Sequence, residues 1–209
     1  MIFYDCSTAP SPRRARMFMA EKGIDVEVQQ VDLRHDAHRK PEFLAINPHG
    51  TVPVLVTDEG APLTENIAIA GYLEAMCPEP PLMGVTPDEK GKVLMWNAIC
   101  EFHAGMAIAE ALRNSTPALK GRALPGAVDY AQIPALAERG ILRLGRFFDT
   151  LEARLSESAF LAGDDFTMAD ITGFVFCDFA RIVKQGIPEG NAASQAWFEK
   201  IKARPSAGL

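Results

Sequence analysis

The chain has 209 residues, of which 48% are hydrophobic and 23% charged, and a formal net charge of -6. That length holds one large domain or two small ones with ample core. The acidic balance excludes a nucleic-acid binder, which needs a basic face, and the short cluster Arg13, Arg14, Arg16 does not reverse it.

Cys6, Cys77, Cys100 and Cys177 have neither CxxC nor zinc-ligand spacing, so they read as reduced thiols and no metal site is read. His35 and His38 stand three apart but lack a third ligand. No apolar run approaches the ~18 residues that span a bilayer. Residues 1–5 already read as a strand, with no room for a signal peptide. The expectation is a soluble, cytoplasmic protein with no membrane partner.

In chain order, Ile2-Phe3-Tyr4 predicts a strand and residues 5–12 a loop. Residues 12–22 predict a helix with Ser11 as N-cap, Pro12 at its first position and Gly23 as its stop. Alternation from Val26 to Asp32 predicts a half-buried strand. Pro41–Ile46 reads as one or two helical turns, Val52–Val56 and Ala61–Leu63 as strands, and 65–76 as an apolar helix. Cys77-Pro78-Glu79-Pro80-Pro81-Leu82 then breaks regular structure. Beyond it, 87–113, 129–155, 168–185 and 192–203 carry helical periodicity, and residues 115–128 form an irregular segment that could edge a pocket. Thr167 and Asp170 predict a capping box, with Phe166 stapled to Ile171. The organisation is therefore an α/β domain over 1–78, a linker over 77–85 and an all-helical domain over 86–209.

Asn47-Pro48-His49-Gly50-Thr51-Val52-Pro53-Val54-Leu55, followed by Glu65-Asn66 at a helix start, carries the most chemistry. An X-Pro bond is far more prone to be cis than any other. A cis Val52–Pro53 bond would leave the Val52 amide and carbonyl open to an extended ligand.

Four phrases resemble the glutathione transferase family across nearly the whole chain: SPRRARMFMAEKGI, HRKPEFLAINPHGTVPVL, LTENIAIAGYLE and FLAGDDFTMADITGF. The resemblance implies a thioredoxin-like N-terminal domain, an all-helical C-terminal domain, a homodimer and a detoxifying transfer of glutathione, the co-substrate, to a small hydrophobic electrophile. It also implies site residues. Val52, followed by Pro53, pairs with the cysteinyl backbone, Glu65 and Asn66 take the γ-glutamyl end, and His38 and Arg39 take the glycyl carboxylate. Thr51 stands where a longer side chain is usual.

The usual catalytic Ser, Tyr or Cys falls at Ala9 or Pro10, so the chain is similar to an atypical branch that relies on the helix end. A thiol of pKa about 8.5 needs a drop of about two units, or about 2.7 kcal/mol. A helix dipole supplies up to about 2 kcal/mol. One hydrogen bond to the charged sulfur, about 1.5–3 kcal/mol, closes the gap. Ser11 is the leading donor and the proposed catalytic residue; Ser7, Arg14, Arg113 and Asn114 follow. Ser11 as cap only, Cys6 as a buried structural thiol and His49 as a turn residue are the simpler alternatives. Arg13 and Arg16 read most simply as a solvated face or dimer-interface charges. Met95, Ile99, His103 and Met106 form a helical stripe that suits either plain core or an electrophile pocket. Two other activities fit the same residues: a glutathione-dependent disulfide reductase or peroxidase, and a non-enzymatic binding protein.

Overall fold

Alternating burial along Ile2–Asp5, with Phe3 and Asp5 inward, makes β1 the spine of a four-stranded sheet. The computed structural model describes residues 1–209. Helix α1 (Pro10–Lys22) crosses over to β2 (Glu27–Gln30), which pairs with β1 in parallel. After a short helix α2 (Pro41–Leu44), β3 (Val54–Val56) returns antiparallel to β1 and continues through a tight turn into β4 (Pro62–Leu63). The strand order β2-β1-β3-β4 is the thioredoxin-like mixed sheet that was expected. Helix α3 (Asn66–Met76) closes this half.

Two expectations are corrected here. Helix α1 starts at Pro10, with Ala9 as its extended N-cap, so Ser11 is the second helical residue and not the cap. Proline tolerates the first position because its missing N–H would have no partner there anyway. Gly23 does end the helix, at φ 65°. Strand β2 is exposed at all four positions, not half-buried, because it is the sheet edge. Only Val26 and Val31, just outside it, pack inward.

The second half comprises α4 (Pro87–Ile99), a π-helical turn (Cys100–Gly105), α5 (Met106–Ser115), α6 (Pro134–Leu155), α7 (Met168–Phe179) and α8 (Ala192–Lys202). The helix expected over 87–113 is thus one rod interrupted by a π turn, a form that recurs at functional sites. Residues 129–133 are not helical, and α6 begins at Pro134.

Helix α7 is the centre of the molecule, with every residue from Met168 to Cys177 buried. Asp170, fully buried, accepts from Leu161 N (2.9 Å), Thr167 N (3.0 Å), Thr167 Oγ1 (3.0 Å) and Trp197 Nε1 (3.0 Å). The two halves share one core: a single apolar cluster runs from Phe3 and Leu55 through Phe18 and Leu73 to Phe147, Phe174 and Trp197. Lys22 ties the connecting segment down. Its fully buried ammonium pairs with Glu74 and donates to the carbonyls of Cys77 (2.7 Å), Pro78 (3.2 Å) and Pro80 (2.5 Å).

Candidate functional site

The sheet register gathers the expected residues at one end. Tyr4 opposes Val54 in an antiparallel pair, so Val52 lies beyond it, level with the loop that leads from β1 into α1. Leu55 opposes Leu63, so continuing that register brings Glu65 and Asn66 level with Pro53 and Val52. The Val52–Pro53 bond is cis. Neither the N–H nor the carbonyl of Val52 has a hydrogen-bond partner within the chain. That is an open edge on which an extended peptide can add. Asn47 holds the turn before it, donating through Nδ2 to Thr51 O (2.8 Å) and Thr51 Oγ1 (3.0 Å). His49 is a turn residue whose N–H donates to Asn47 Oδ1 at 3.0 Å.

Two helix N-termini meet there. Asn66, buried at the start of α3, donates through Nδ2 to Ser11 Oγ at 3.0 Å, and its Oδ1 has no partner. Asn66 thus serves Ser11 directly, a contact that sequence reasoning missed. Glu65, exposed, is the extended N-cap of α3. Arg14 Nη2 donates to the same Ser11 oxygen at 3.1 Å. Ser11 Oγ therefore accepts twice, which leaves its own proton free to donate outward. Pro10 and Pro12 have no N–H, so among the first three residues of α1 only Ser11 offers a backbone donor, and it has no partner in the chain.

Arg14 is buried and reaches into the helical half, where its Nη1 donates to Glu101 Oε1 at 2.5 Å and its guanidinium lies 4.8 Å from the Phe176 ring centroid. Burial pushes its pKa down while Glu101 pulls it up. Cys6 is buried with its Sγ 3.6 Å from Thr8 Oγ1, as a structural thiol would be. Burial lifts the thiol pKa of Cys100 and of Cys177 well above the ordinary value.

Other candidates lie elsewhere or are already engaged. Ser7 directs its N–H to Gln30 Oε1 and its carbonyl to Arg16. Arg13 and Arg16 are not a free solvated face: both are half-buried and paired within the chain. Arg13 binds Asp178 (2.6 Å) and the carbonyls of Ala207 and Leu209, and Arg16 binds Asp5 (2.5 Å). His35 pairs with Asp32 at 2.6 Å. Asn114 bridges the end of α5 to Ile133 N, and Arg113 donates to Arg122 O, so both serve the segment after α5. The stripe Met95, Ile99, His103, Met106 is only partly core: Ile99 packs against the main apolar cluster, while Met95 and Met106 are 50% and 43% exposed.

The match to known proteins decides the family. Residues 8–76 match the model of the glutathione S-transferase N-terminal domain, and residues 123–205 that of its C-terminal domain. Glutathione S-transferase 2 of Saccharomyces cerevisiae is 39% identical over 210 residues, covering 99% of this chain and 87% of that protein. The chain belongs to the glutathione S-transferase family. The crystal structure of Gtt2 from Saccharomyces cerevisiae superposes with a TM-score of 0.90 at 36% identity, covering 100% of this chain and 99% of that one. A glutathione S-transferase domain-containing protein from Marinobacter aquaeolei VT8 gives 0.88 at 33% identity, with 99% of each chain covered.

As a glutathione S-transferase the chain carries two features that its sequence motifs did not reveal. One is a cavity of about 510 Å³ beside Ala9 and Pro10, walled by Arg13, Val175, Phe179 and Ile182. The four wall residues belong to α1, α7 and the turn that follows α7, so no single stretch announces the cavity. The other is the course of the segment after α5, expected only as a pocket edge, which lies across His38 and Arg39. His38 Nε2 is 2.9 Å from Arg122 Nη2, and Arg39 Nη2 donates to Asp129 Oδ1 at 2.7 Å.

Proposed function

We propose that this transferase binds glutathione along Val52 and conjugates its thiolate to a small hydrophobic electrophile. The γ-glutamyl end lies at the start of α3 beside Glu65, and the glycyl end toward His38 and Arg39. The sulfur sits at the start of α1, facing Ser11. Sulfur attacks the electrophilic carbon, the leaving group departs with its electron pair, and the thiol proton passes to solvent.

The observation that carries this reading is the state of Ser11. Its oxygen is saturated by Arg14 and Asn66, so its hydroxyl proton and its backbone N–H are both available to one anion. Two hydrogen bonds to a charged group are worth about 3–6 kcal/mol together. That exceeds the ~2.7 kcal/mol needed to bring a thiol two units down. Ser11 meets the requirement without a tyrosine or a cysteine, and the Arg14 guanidinium 3.1 Å from its oxygen adds positive charge nearby. On this reading the electrophile enters the cavity beside Ala9 and Pro10, where Val175, Phe179 and Ile182 offer apolar surface among the charged Arg13, Asp178 and Arg181.

The cytoplasmic, homodimeric, detoxifying setting and the boundary at 77–85 belong to the same proposal. Support for the dimer comes from apolar side chains left in solvent on the helical half, such as Phe102 and Leu142.

The test is the thiol pKa of bound glutathione, read from thiolate ultraviolet absorbance, in the native chain and in Ser11→Ala. The expected change is a rise of about one unit or more with a matching fall in turnover. An unchanged pKa and turnover would refute the role of Ser11. Failure of the native chain to bind glutathione at millimolar concentration would favour a non-enzymatic protein. Binding with disulfide reduction but no conjugation would favour a reductase.

A further inference from the structure

Residues 116–131, from the helical half, form a strap across the N-terminal half. Ala127 N donates to His49 O at 3.0 Å, and Arg39 Nη2 donates to Ala127 O at 3.1 Å. The approach is close enough to require glycine on both sides. A Cβ on Gly50 would fall 3.0 Å from Ala127 N and 3.1 Å from His38 O, and one on Gly126 would fall 2.7 Å from His49 O. Both glycines also have positive φ, 63° and 116°.

Where this strap touches His38, hydrogen-bond donors outnumber acceptors. Arg122 Nη2 lies 2.9 Å from His38 Nε2, which as the acceptor leaves the proton on Nδ1. That Nδ1 is buried without a partner, and so is Arg122 Nε. His38 as a residue is 6% exposed. Arg113, half-buried behind Arg122, has no carboxylate partner and donates only to Arg122 O. Asp36 and Asp129, both largely exposed, are the carboxylates that answer Arg122 and Arg39. Three guanidinium groups and an imidazole thus converge against two solvated carboxylates. Unmet buried donors beside an excess of positive charge mark a place for an anion.

The position of this cluster names the anion. A peptide paired with Val52 and anchored by its γ-glutamyl end at Asn66 continues in the other direction, past Thr51 toward Gly50. One further residue advances about 3.3 Å. His38 packs against Gly50 there, with Arg122 upon it.

We propose that Arg122, backed by Arg113, takes the glycyl carboxylate of glutathione, so that the helical half of the same chain reads the acid end of the tripeptide. The proposal rests on glutathione lying along Val52 as described above. It makes Arg122 a specificity residue for thiols that end in a carboxylate. His38 orients Arg122 and stays neutral.

The experiment compares S-methylglutathione with its glycyl monoethyl ester by calorimetric titration, in the native chain and in Arg122→Gln. Neither ligand has a free thiol, so Ser11 chemistry does not enter. The native chain is expected to bind the acid about ten-fold or more tighter than the ester. Arg122→Gln is expected to bind both with the ester's affinity. Ester binding that matches the native chain shows that the variant's site is folded. Arg113→Gln, which leaves Arg122 in place, is expected to cut the discrimination several-fold and reads the same ratio if Arg122→Gln does not fold. No discrimination by the native chain, or full discrimination in Arg122→Gln, overturns the proposal; where Arg122→Gln does not fold, so does full discrimination in Arg113→Gln. Binding of neither ligand by the native chain overturns the glutathione reading itself, and this inference with it.

Discussion

Arg14 and Glu101 form an ion pair between the two halves of the molecule, with Nη1 2.5 Å from Oε1 and the arginine side chain only 6% exposed. The same guanidinium donates to Ser11, so the pair links the π-helical turn to the start of α1.

Glu101→Gln should therefore act at a distance. Removing one partner of a fully buried pair costs about 3–5 kcal/mol. Glu101 is 36% exposed, so solvent screening reduces the expected loss to about 1–2 kcal/mol. Urea unfolding measures that loss. The thiol pKa of bound glutathione should rise as well, because Arg14, without its carboxylate partner, is held less firmly against the Ser11 oxygen.

Lys22→Met should release the connecting segment. Its ammonium is the donor for three linker carbonyls and the counter-charge for Glu74. Methionine fills the space but donates nothing, which strands Glu74 at a mostly buried site. The expected cost is about 3 kcal/mol by chemical denaturation. Limited proteolysis should gain a new cut between residues 77 and 82.

The strap should weaken in mild acid. Burial first, and then the charge of Arg122, hold His38 below the ordinary imidazole value; Arg39 and Arg113 act the same way, and Asp36 opposes them. The unfolded chain therefore takes up the proton first. The His38 contribution is complete above the ordinary value of about 6.5 and is lost progressively as the pH falls from there toward the folded-state value. Hydrogen exchange at the amides of Ala123 and Ala127 should accelerate over that range. A His38→Phe variant should lack the pH step.

Asp170→Asn should unfold the helical half more readily than its one-atom change suggests. Four donors converge on the two carboxylate oxygens. An amide offers one oxygen and turns two N–H groups toward donors already there. Leaving buried donors unsatisfied costs about 1–3 kcal/mol each, so a loss of about 3 kcal/mol or more is expected in thermal or urea unfolding.

Most of the architecture was legible because it is written locally. Gly23, the Val52–Pro53 pair, the proline-rich segment after Met76 and the Thr167–Asp170 pair each mark a boundary through backbone chemistry of their own residues. The start of α1 was misplaced by two residues because Ser11 and Pro12 make as good a cap and first position as Ala9 and Pro10. Only the extended backbone at Ala9 separates the two. The π turn was invisible because Cys100–Gly105 keeps the apolar spacing of an ordinary helix. Apart from the Arg14–Ser11 contact, the partners of Arg13, Arg14 and His38 lie between 84 and 196 residues away, and side-chain chemistry alone does not reveal which of many acceptors a guanidinium will find.

The two prolines that bracket Ser11 have a further effect. An ordinary helix start presents a fan of amides, which suits the several oxygens of a phosphate ester. Here Pro10 and Pro12 leave one amide and one hydroxyl on the same residue, a target for a single atom. On the proposed reading, the start of α1 therefore suits one charged sulfur better than the several oxygens of a phosphate ester.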